Sequence, residues 1–349
     1  MAAPGRFLVS SSQEEAMIKL FGQTAGQLKP LDIDPAVPLP VEAAVWIDLY
    51  QPTREEEQSL EAALGISIPT RADMNEIEAS SRFYHEDGAL FMTANVLSRP
   101  AQGTGDPAQQ DVFLSMPVTF ILVGAHLVTV RYHEPRSFQM YTNWAERGDA
   151  PCANGNSVLL GLFEAIVDRL ADIAEEAGTG LDLIGARLFD SLPDDGAPDE
   201  TLDMLVERIG RAEDLNGKIM ASIVTLNRVV TAMSTLPKMD AKRDAKLRLK
   251  TLGRDLQSVS DHVERQARRI TFLLDSTLGK INIEQTGIIK IFSVMSLVFM
   301  PPTLIASIYG MNFDFMPELH WEGAYYVVIV LMIVSSVAPY LYFRKRGWL

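Results

Sequence analysis

Two long apolar blocks near the C-terminus dominate the hydrophobic pattern. The first, Ile288 to Tyr309, holds 22 residues and one charge, Lys290. As helix it spans about 33 Å, enough for a hydrocarbon core of about 30 Å. The second, Ala324 to Phe343, carries no charge. The 14 residues between them, Gly310 to Gly323, make the pair a helical hairpin across a bilayer. A buried hairpin in a soluble protein is the competing reading, but core helices rarely stay uncharged for about 20 residues. Arg344, Lys345 and Arg346 follow the second block, whereas the connecting loop carries Asp314, Glu318 and Glu322 and no Lys or Arg. The positive-inside rule therefore predicts a cytoplasmic C-terminus and, with two spans, a cytoplasmic N-terminus. The opening residues lack an apolar signal core, in line with that expectation. Tyr325, Tyr326, Tyr340, Tyr342 and Trp348 lie where interfacial anchors belong.

Upstream the pattern is mixed. Strand-like runs occur at Ala44–Leu49, Ala89–Leu97, Val112–Val123 and Leu127–Tyr132, with a turn-rich loop at 98–110. Thr53 with Glu56 three residues on predicts a capping box and a helix after the first run. From Asn156 the period becomes that of long amphipathic helix. One helix runs to about Phe189, an acidic break follows at 190–200, and a second runs to about Leu236 before Pro237. Proline is then absent from Lys238 to Met300, 63 residues interrupted only by Gly253, Gly279 and Gly287. One helix continuing into the first span would be about 100 Å long and would need neighbours, most simply copies of itself. A break near Gly279 is the alternative. The expected organisation is an α+β cytoplasmic domain (1–155), long stalk helices (156–286), a first span (287–309), an outer loop (310–323), a second span (324–343) and a basic tail (344–349).

Composition removes several classes. The charge sum is 31 − 45 = −14, the wrong sign for a free-standing nucleic-acid binder. The single cysteine excludes an intramolecular disulfide or a CxxC site. There is no HExxH, GxGxxG or GxxxxGK[ST], and no nucleophile–base pair, so an enzyme is not expected and no cofactor is implied. Residues 238–269 carry ten Lys/Arg against five acids, read as a solvated face that pairs with the acidic segment 190–214.

The first span has an ordered face. Thr286, Ile289, Ser293, Ser296, Met300, Thr303, Ser307 and Gly310 step by 3, 4, 3, 4, 3, 4, 3. Small polar residues on one face serve close helix packing in a membrane. The other reading is the lining of a pore built by several copies, because one hairpin encloses no channel. Ile289 and Met300 would be its apolar constrictions. The stripe ends at Gly310, Met311 and Asn312, a neutral carbonyl acceptor inside an acidic rim of Asp314, Glu318 and Glu322. Such a mouth suits a hydrated divalent cation, and Mg²⁺ in particular, which dehydrates reluctantly. A membrane-anchored sensor or scaffold explains the hairpin but not a polar stripe that ends at an acidic loop.

The run Tyr309-Gly310-Met311-Asn312-Phe313, then Met316-Pro317-Glu318-Leu319, resembles the signature of the CorA magnesium transporters, and the likeness extends through APYLYFRKRGWL and, more weakly, back to AVWIDL and TRADMNEIEASSRF. The resemblance implies a funnel-shaped homopentamer in the cell (inner) membrane that admits Mg²⁺ passively, with Co²⁺ and Ni²⁺ as passengers. Zn²⁺ transport by a relative of the same architecture is the alternative. It implies a selectivity filter at Gly310, Met311 and Asn312, pore-facing Met300 and Thr303, and a cytosolic positive ring at Arg344–Arg346. Where the family often has Asn at the inner entrance, this chain has Thr286. Gating by cytoplasmic Mg²⁺ is also implied. Glu86, Asp87, Asp255 and Asp261 are the candidate acids for it.

Overall fold

The computed structural model describes residues 17–32, 39–76, 78–99, 112–189, 201–235, 243–312 and 316–347. Two compact units emerge. One comprises residues up to 199 with 207–271, the other 200–206 with 272–349.

The first unit is built on a seven-stranded sheet. Its strands are β1 (Met17–Thr24), β2 (Gln27–Leu31), β3 (Trp46–Tyr50), β4 (Phe83–Glu86), β5 (Ala89–Ser98), β6 (Leu114–Val123) and β7 (His126–Arg131). Their order is β2-β1-β3-β7-β6-β5-β4. Every pairing is antiparallel except β3 with β7. Two hairpins turn on paired positive φ angles, Ala25-Gly26 between β1 and β2 and Asp87-Gly88 between β4 and β5. Type I′ turns require that geometry, and Asp-Gly is a favoured pair for it. The four strand-like runs of the sequence are β3, β5, β6 and β7, with ends shifted by one or two residues. β1, β2 and β4 are additional.

The helix expected after β3 is α1 (Arg54–Leu64), and the Thr53–Glu56 capping box is formed in both directions. Two short helices, α2 (Arg71–Met74) and α3 (Ala79–Arg82), follow it. Leu60 of α1 and Met74 of α2 close one face of the sheet against Ile47, Leu49, Phe91, Val128 and Val130. Helices α4 (Arg136–Arg147) and α5 (Gly155–Leu188) cover the other face. Phe138 and Tyr141 of α4 pack there on Trp46, and Phe163 of α5 meets Phe120 edge to face. Gly155 must be glycine, because a Cβ would sit 2.5 Å from the backbone of His126 and Leu127.

A polar network is sealed in this sheet. Asp48 accepts from Thr129 Oγ1 at 2.7 Å and from Arg131 Nη2 at 2.9 Å, and Thr129 Oγ1 itself accepts from Trp46 Nε1 at 3.0 Å. The Arg131 guanidinium also lies over the rings of Tyr50 and Phe138. Both charges are buried and hydrogen-bonded, Arg131 Nη1 also donating to the His133 carbonyl at 2.9 Å, the condition under which a buried ion pair is tolerated.

Helix α6 (Leu202–Ser234) and helix α7 (Arg243–Tyr309) complete the long helices. Helix α7 is one uninterrupted helix of 67 residues. A break near Gly279 does not occur. A side chain at Gly253, Gly279 or Gly287 would meet open space, so these glycines weaken the helix only entropically. The basic stretch of α7 also reaches a helix that the sequence reading did not name. Its ion pairs among the described residues run to α5: Arg248 Nε and Nη2 donate to both carboxylate oxygens of Glu164, at 2.8 and 2.7 Å, and Arg269 pairs with Asp182. The acidic break at 190–200 lies outside the described residues.

The second unit holds the C-terminal part of α7 and helix α8 (Ala324–Lys345), joined through a short 3₁₀ helix, Pro317–His320. Both helices are long and apolar enough to cross a membrane.

Candidate functional site

The periodicity of α7 becomes two faces in the second unit. Gly287, Val294, Val298, Pro301, Pro302, Ile305 and Tyr309 are the buried or half-buried positions of the span. On α8 the same repeat falls on Ala324, Val328, Met332, Ser335, Pro339 and Phe343. Two such covered stripes are what a packed pair of helices presents. All eight predicted stripe residues, Thr286, Ile289, Ser293, Ser296, Met300, Thr303, Ser307 and Gly310, are exposed. At about 100° per residue they lie on the side of α7 nearly opposite its covered face. Exposed residues on the flank between the stripe and the covered face, Ile288, Met295 and Phe299, are large and apolar. Most of the polar face thus points away from α8; only its inner end, at Thr286, Ile289 and Ser293, borders a crevice that Phe343 of α8 also lines.

The stripe's hydroxyls share one geometry. Thr286, Ser293, Ser296 and Thr303 each donate to the carbonyl four residues back, on Asn282, Ile289, Phe292 and Phe299, at 2.7 to 2.9 Å. A hydroxyl carries one proton and two lone pairs. With the proton committed to the helix, the oxygen faces outward as an acceptor. Pro301 and Pro302 stay within the helix. They withhold the N–H groups that would bond the carbonyls of Leu297 and Val298, which adds acceptors in the same stretch.

At the outer end the helix closes with Gly310 N–H on Ala306 O at 2.9 Å and Met311 N–H on Ile308 O at 3.3 Å. Gly310 shows no left-handed φ. A Cβ there would instead lie 3.1 Å from the Ala306 carbonyl, so glycine permits the close last turn. Met311 and Asn312 are exposed, as is Glu322. Asp314 lies outside the described residues. Glu318 is placed on the 3₁₀ helix by its backbone. Thus one chain brings Gly310, Met311 and Asn312 to the end of the polar stripe, with Glu322 at the start of α8.

The candidate regulatory acids are not brought together. Glu86 ends β4 and borders a cleft of about 210 Å³ with Asp73, Glu76 and Tyr84. Burial, and then Glu86, Asp73 and Glu76, push the Tyr84 hydroxyl above its ordinary pKa. Asp87 is the first turn residue of the β4–β5 hairpin. Asp255 faces α5, where burial first, and then Glu164, Asp172 and Asp255, raise the Asp168 carboxyl. Asp261 accepts from Gln257 Nε2 at 2.8 Å. Among the described residues no group of three or more His, Cys, Asp or Glu side chains is arranged to hold a metal ion.

Sequence reasoning missed the Asp73 and Glu76 partners of Glu86 and the Asp168 neighbour of Asp255. These lie on different elements, and only the fold joins them. It also missed that Lys290 lines a crevice with Phe343, although both residues sit at the same end of the predicted hairpin.

Comparison with known proteins agrees with this architecture. The family model described as CorA-like Mg²⁺ transporter protein matches residues 41–345. The magnesium transport protein CorA of Escherichia coli K12 is 34% identical over 333 residues, covering 95% of this chain and 100% of that protein. That of Haemophilus influenzae is 33% identical over the same length. The complete CorA structure from Methanocaldococcus jannaschii superposes with a TM-score of 0.72 over 95% of this chain and 99% of that one, at 18% identity, a likeness of fold. A polar-striped helical hairpin that follows an α/β domain in the chain, together with this breadth of match, gives one conclusion: the chain belongs to the CorA-like Mg²⁺ transporter family.

Proposed function

We propose that the protein is a channel-like transporter that lets Mg²⁺ pass down its gradient into the cell, and that it admits Co²⁺ and Ni²⁺ by the same route. The working unit is a funnel-shaped homopentamer with five α7 helices around the axis and both termini in the cytoplasm. The polar stripe lines the path, Ile289 and Met300 narrow it, and Gly310, Met311 and Asn312 form the outer filter. Asp314, Glu318 and Glu322 gather cations at the mouth.

The observation that carries this reading is the row of outward-facing hydroxyl oxygens from Thr286 to Thr303, opposite the covered face and ending at Asn312. The waters around a cation point their hydrogens outward, and a wall of acceptors bonds to them without stripping the ion. Mg²⁺ holds its waters tightly, so a wall that bonds to water suits it better than a carboxylate cage. At the inner entrance Thr286 supplies the same acceptor with shorter reach than Asn would.

Gating is assigned to cytoplasmic Mg²⁺ bound where a second chain completes an acidic patch. Glu86 with Asp73 and Glu76, and Asp255 beside Asp168, are such patches. Asp87 and Asp261 lie near them in sequence and remain part of the proposal.

The test is uptake into proteoliposomes containing the purified protein, with Mg²⁺ and Zn²⁺ compared side by side and the mass of the assembly measured in mild detergent. Selective Mg²⁺ uptake by a pentamer is expected. Selective Zn²⁺ uptake would move the protein to the alternative substrate. A monomer or dimer under several lipid-like conditions would remove the pore.

A further inference from the structure

At the inner end of the hairpin, α7 and α8 leave a crevice of about 550 Å³ between them. Its walls are Ile289, Val294, Leu297 and Phe343, with Thr286 and Ser293 along one rim and Lys290 among them. Lys290 is exposed and forms no ion pair among the described residues. It is the one charge in the first span, and the nearest acid before it in the helix, Glu284, does not pair with it. Arg344, Lys345 and Arg346 follow Phe343 directly, and from Gln285 to Asn312 and from Gly323 to Leu349 the chain has no Asp or Glu. This end of the hairpin therefore holds four cations per chain against one acid, Glu284, and an apolar slot whose one charged wall residue is an ammonium with no ion pair among the described residues.

A lysine near the end of a spanning helix turns its ammonium toward the headgroup layer while its stem stays against apolar surface. A basic crevice between two spans at that depth recognises a lipid headgroup, with an acyl chain in the apolar part. We propose that this crevice binds an anionic phospholipid, its phosphate on Lys290 and the Arg344–Arg346 run, and its chain along Leu297 and Phe343. The inference rests on the membrane-spanning reading of α7 and α8 but not on the identity of the transported ion. The slot opens on the flank of α7 between its polar stripe and its covered face. Because Thr286, Ile289 and Ser293 line both the slot and the polar stripe, a lipid there would border the water path at its inner end and lie against the next chain of an assembly.

The test uses the full chain reconstituted into vesicles of phosphatidylcholine alone or with one-fifth phosphatidylglycerol. Flotation after alkaline washing reports insertion. Native mass spectrometry after transfer to mild detergent counts the lipids retained. The expected result is preferential retention of phosphatidylglycerol by the wild type. Lys290→Gln should lower that preference by about fivefold and Lys290→Arg should preserve it. Phe343→Trp supplies a second readout: brominated phosphatidylglycerol should quench its added fluorescence more than brominated phosphatidylcholine does. Equal retention of the two lipids by an inserted wild type, or undiminished preference in Lys290→Gln, would overturn the site and leave the slot to a neighbouring copy's helix. Failure of the wild type to float would instead remove the membrane reading itself.

Discussion

Replacing Ser296 by valine separates a water-lined path from a simple packing face. Ser296 is exposed on the stripe, and its hydroxyl donates to Phe292 O at 2.9 Å. That bond lies within the helix, four residues back, and as a structural element contributes little to stability. Valine is close in size and adds apolar contact, so folding and assembly should survive. As part of a pore wall the same change removes one outward acceptor per chain, five at one level, and replaces them with an apolar ring. A single lost hydrogen bond to a passing hydration shell costs about 1 kcal/mol, a fall in flux of about fivefold; five lost together cost about 5 kcal/mol, a fall of about three to four orders of magnitude. Apolar rings also dewet, which acts in the same direction. Initial Mg²⁺ uptake into proteoliposomes, scaled to assembled protein, should fall at least fivefold in Ser296→Val. Ser296→Thr, which keeps the oxygen, should stay near the wild type. Uptake within twofold of wild type by assembled Ser296→Val would refute the claim that this face is wetted.

Three further outcomes follow from the soluble unit. Asp48→Asn leaves the buried Arg131 guanidinium without its counter-charge and should destabilise this unit by about 3–5 kcal/mol, read as faster amide exchange across β3 and β7. Burial depresses the pKa of His133 from 6.5 to about 4. The unfolded chain then binds more protons between those values, so stability should fall by about 3 kcal/mol as pH drops from 6.5 to about 4, and His133→Gln should flatten that slope. Gly155→Ala forces a Cβ to within 2.5 Å of the His126–Leu127 backbone. It should lower the thermal midpoint of the soluble unit markedly, whereas Gly180→Ala, which meets open space, should not.

How much was legible in the sequence differs by element, for physical reasons. A block of 20 uncharged residues has few structural solutions, so the hairpin could be read directly. The capping box at Thr53 and Glu56 was equally plain, because all its atoms lie within one turn. Helix α4 went unseen although Phe138, Tyr141 and Ala145 keep a helical spacing between Pro135 and Gly148, start and stop signals that the reading passed over. β1 is interrupted by Gly22, and β4 is only four residues long, so neither shows a clean alternation. The partners of the basic stretch in α7 were assigned to the nearest acidic run. The fold adds Glu164 and Asp182, at sequence separations no local pattern reports. The polar stripe was complete in the sequence. What the structure added is the direction of its hydroxyl protons, which depends on the backbone carbonyls beneath them.

The central claim is that Asn312 at the end of that stripe selects the ion. The most direct measurement is Mg²⁺ uptake, against Zn²⁺ as competitor, by proteoliposomes carrying Asn312→Ala in a verified assembly, at low and at high ionic strength. A ring of neutral acceptors acts by contact and is little affected by salt, unlike the acidic rim, whose field is screened beyond about 8 Å at physiological ionic strength. The account predicts that Asn312→Ala loses selective Mg²⁺ uptake at both ionic strengths. Normal, selective Mg²⁺ uptake by the assembled variant would contradict it.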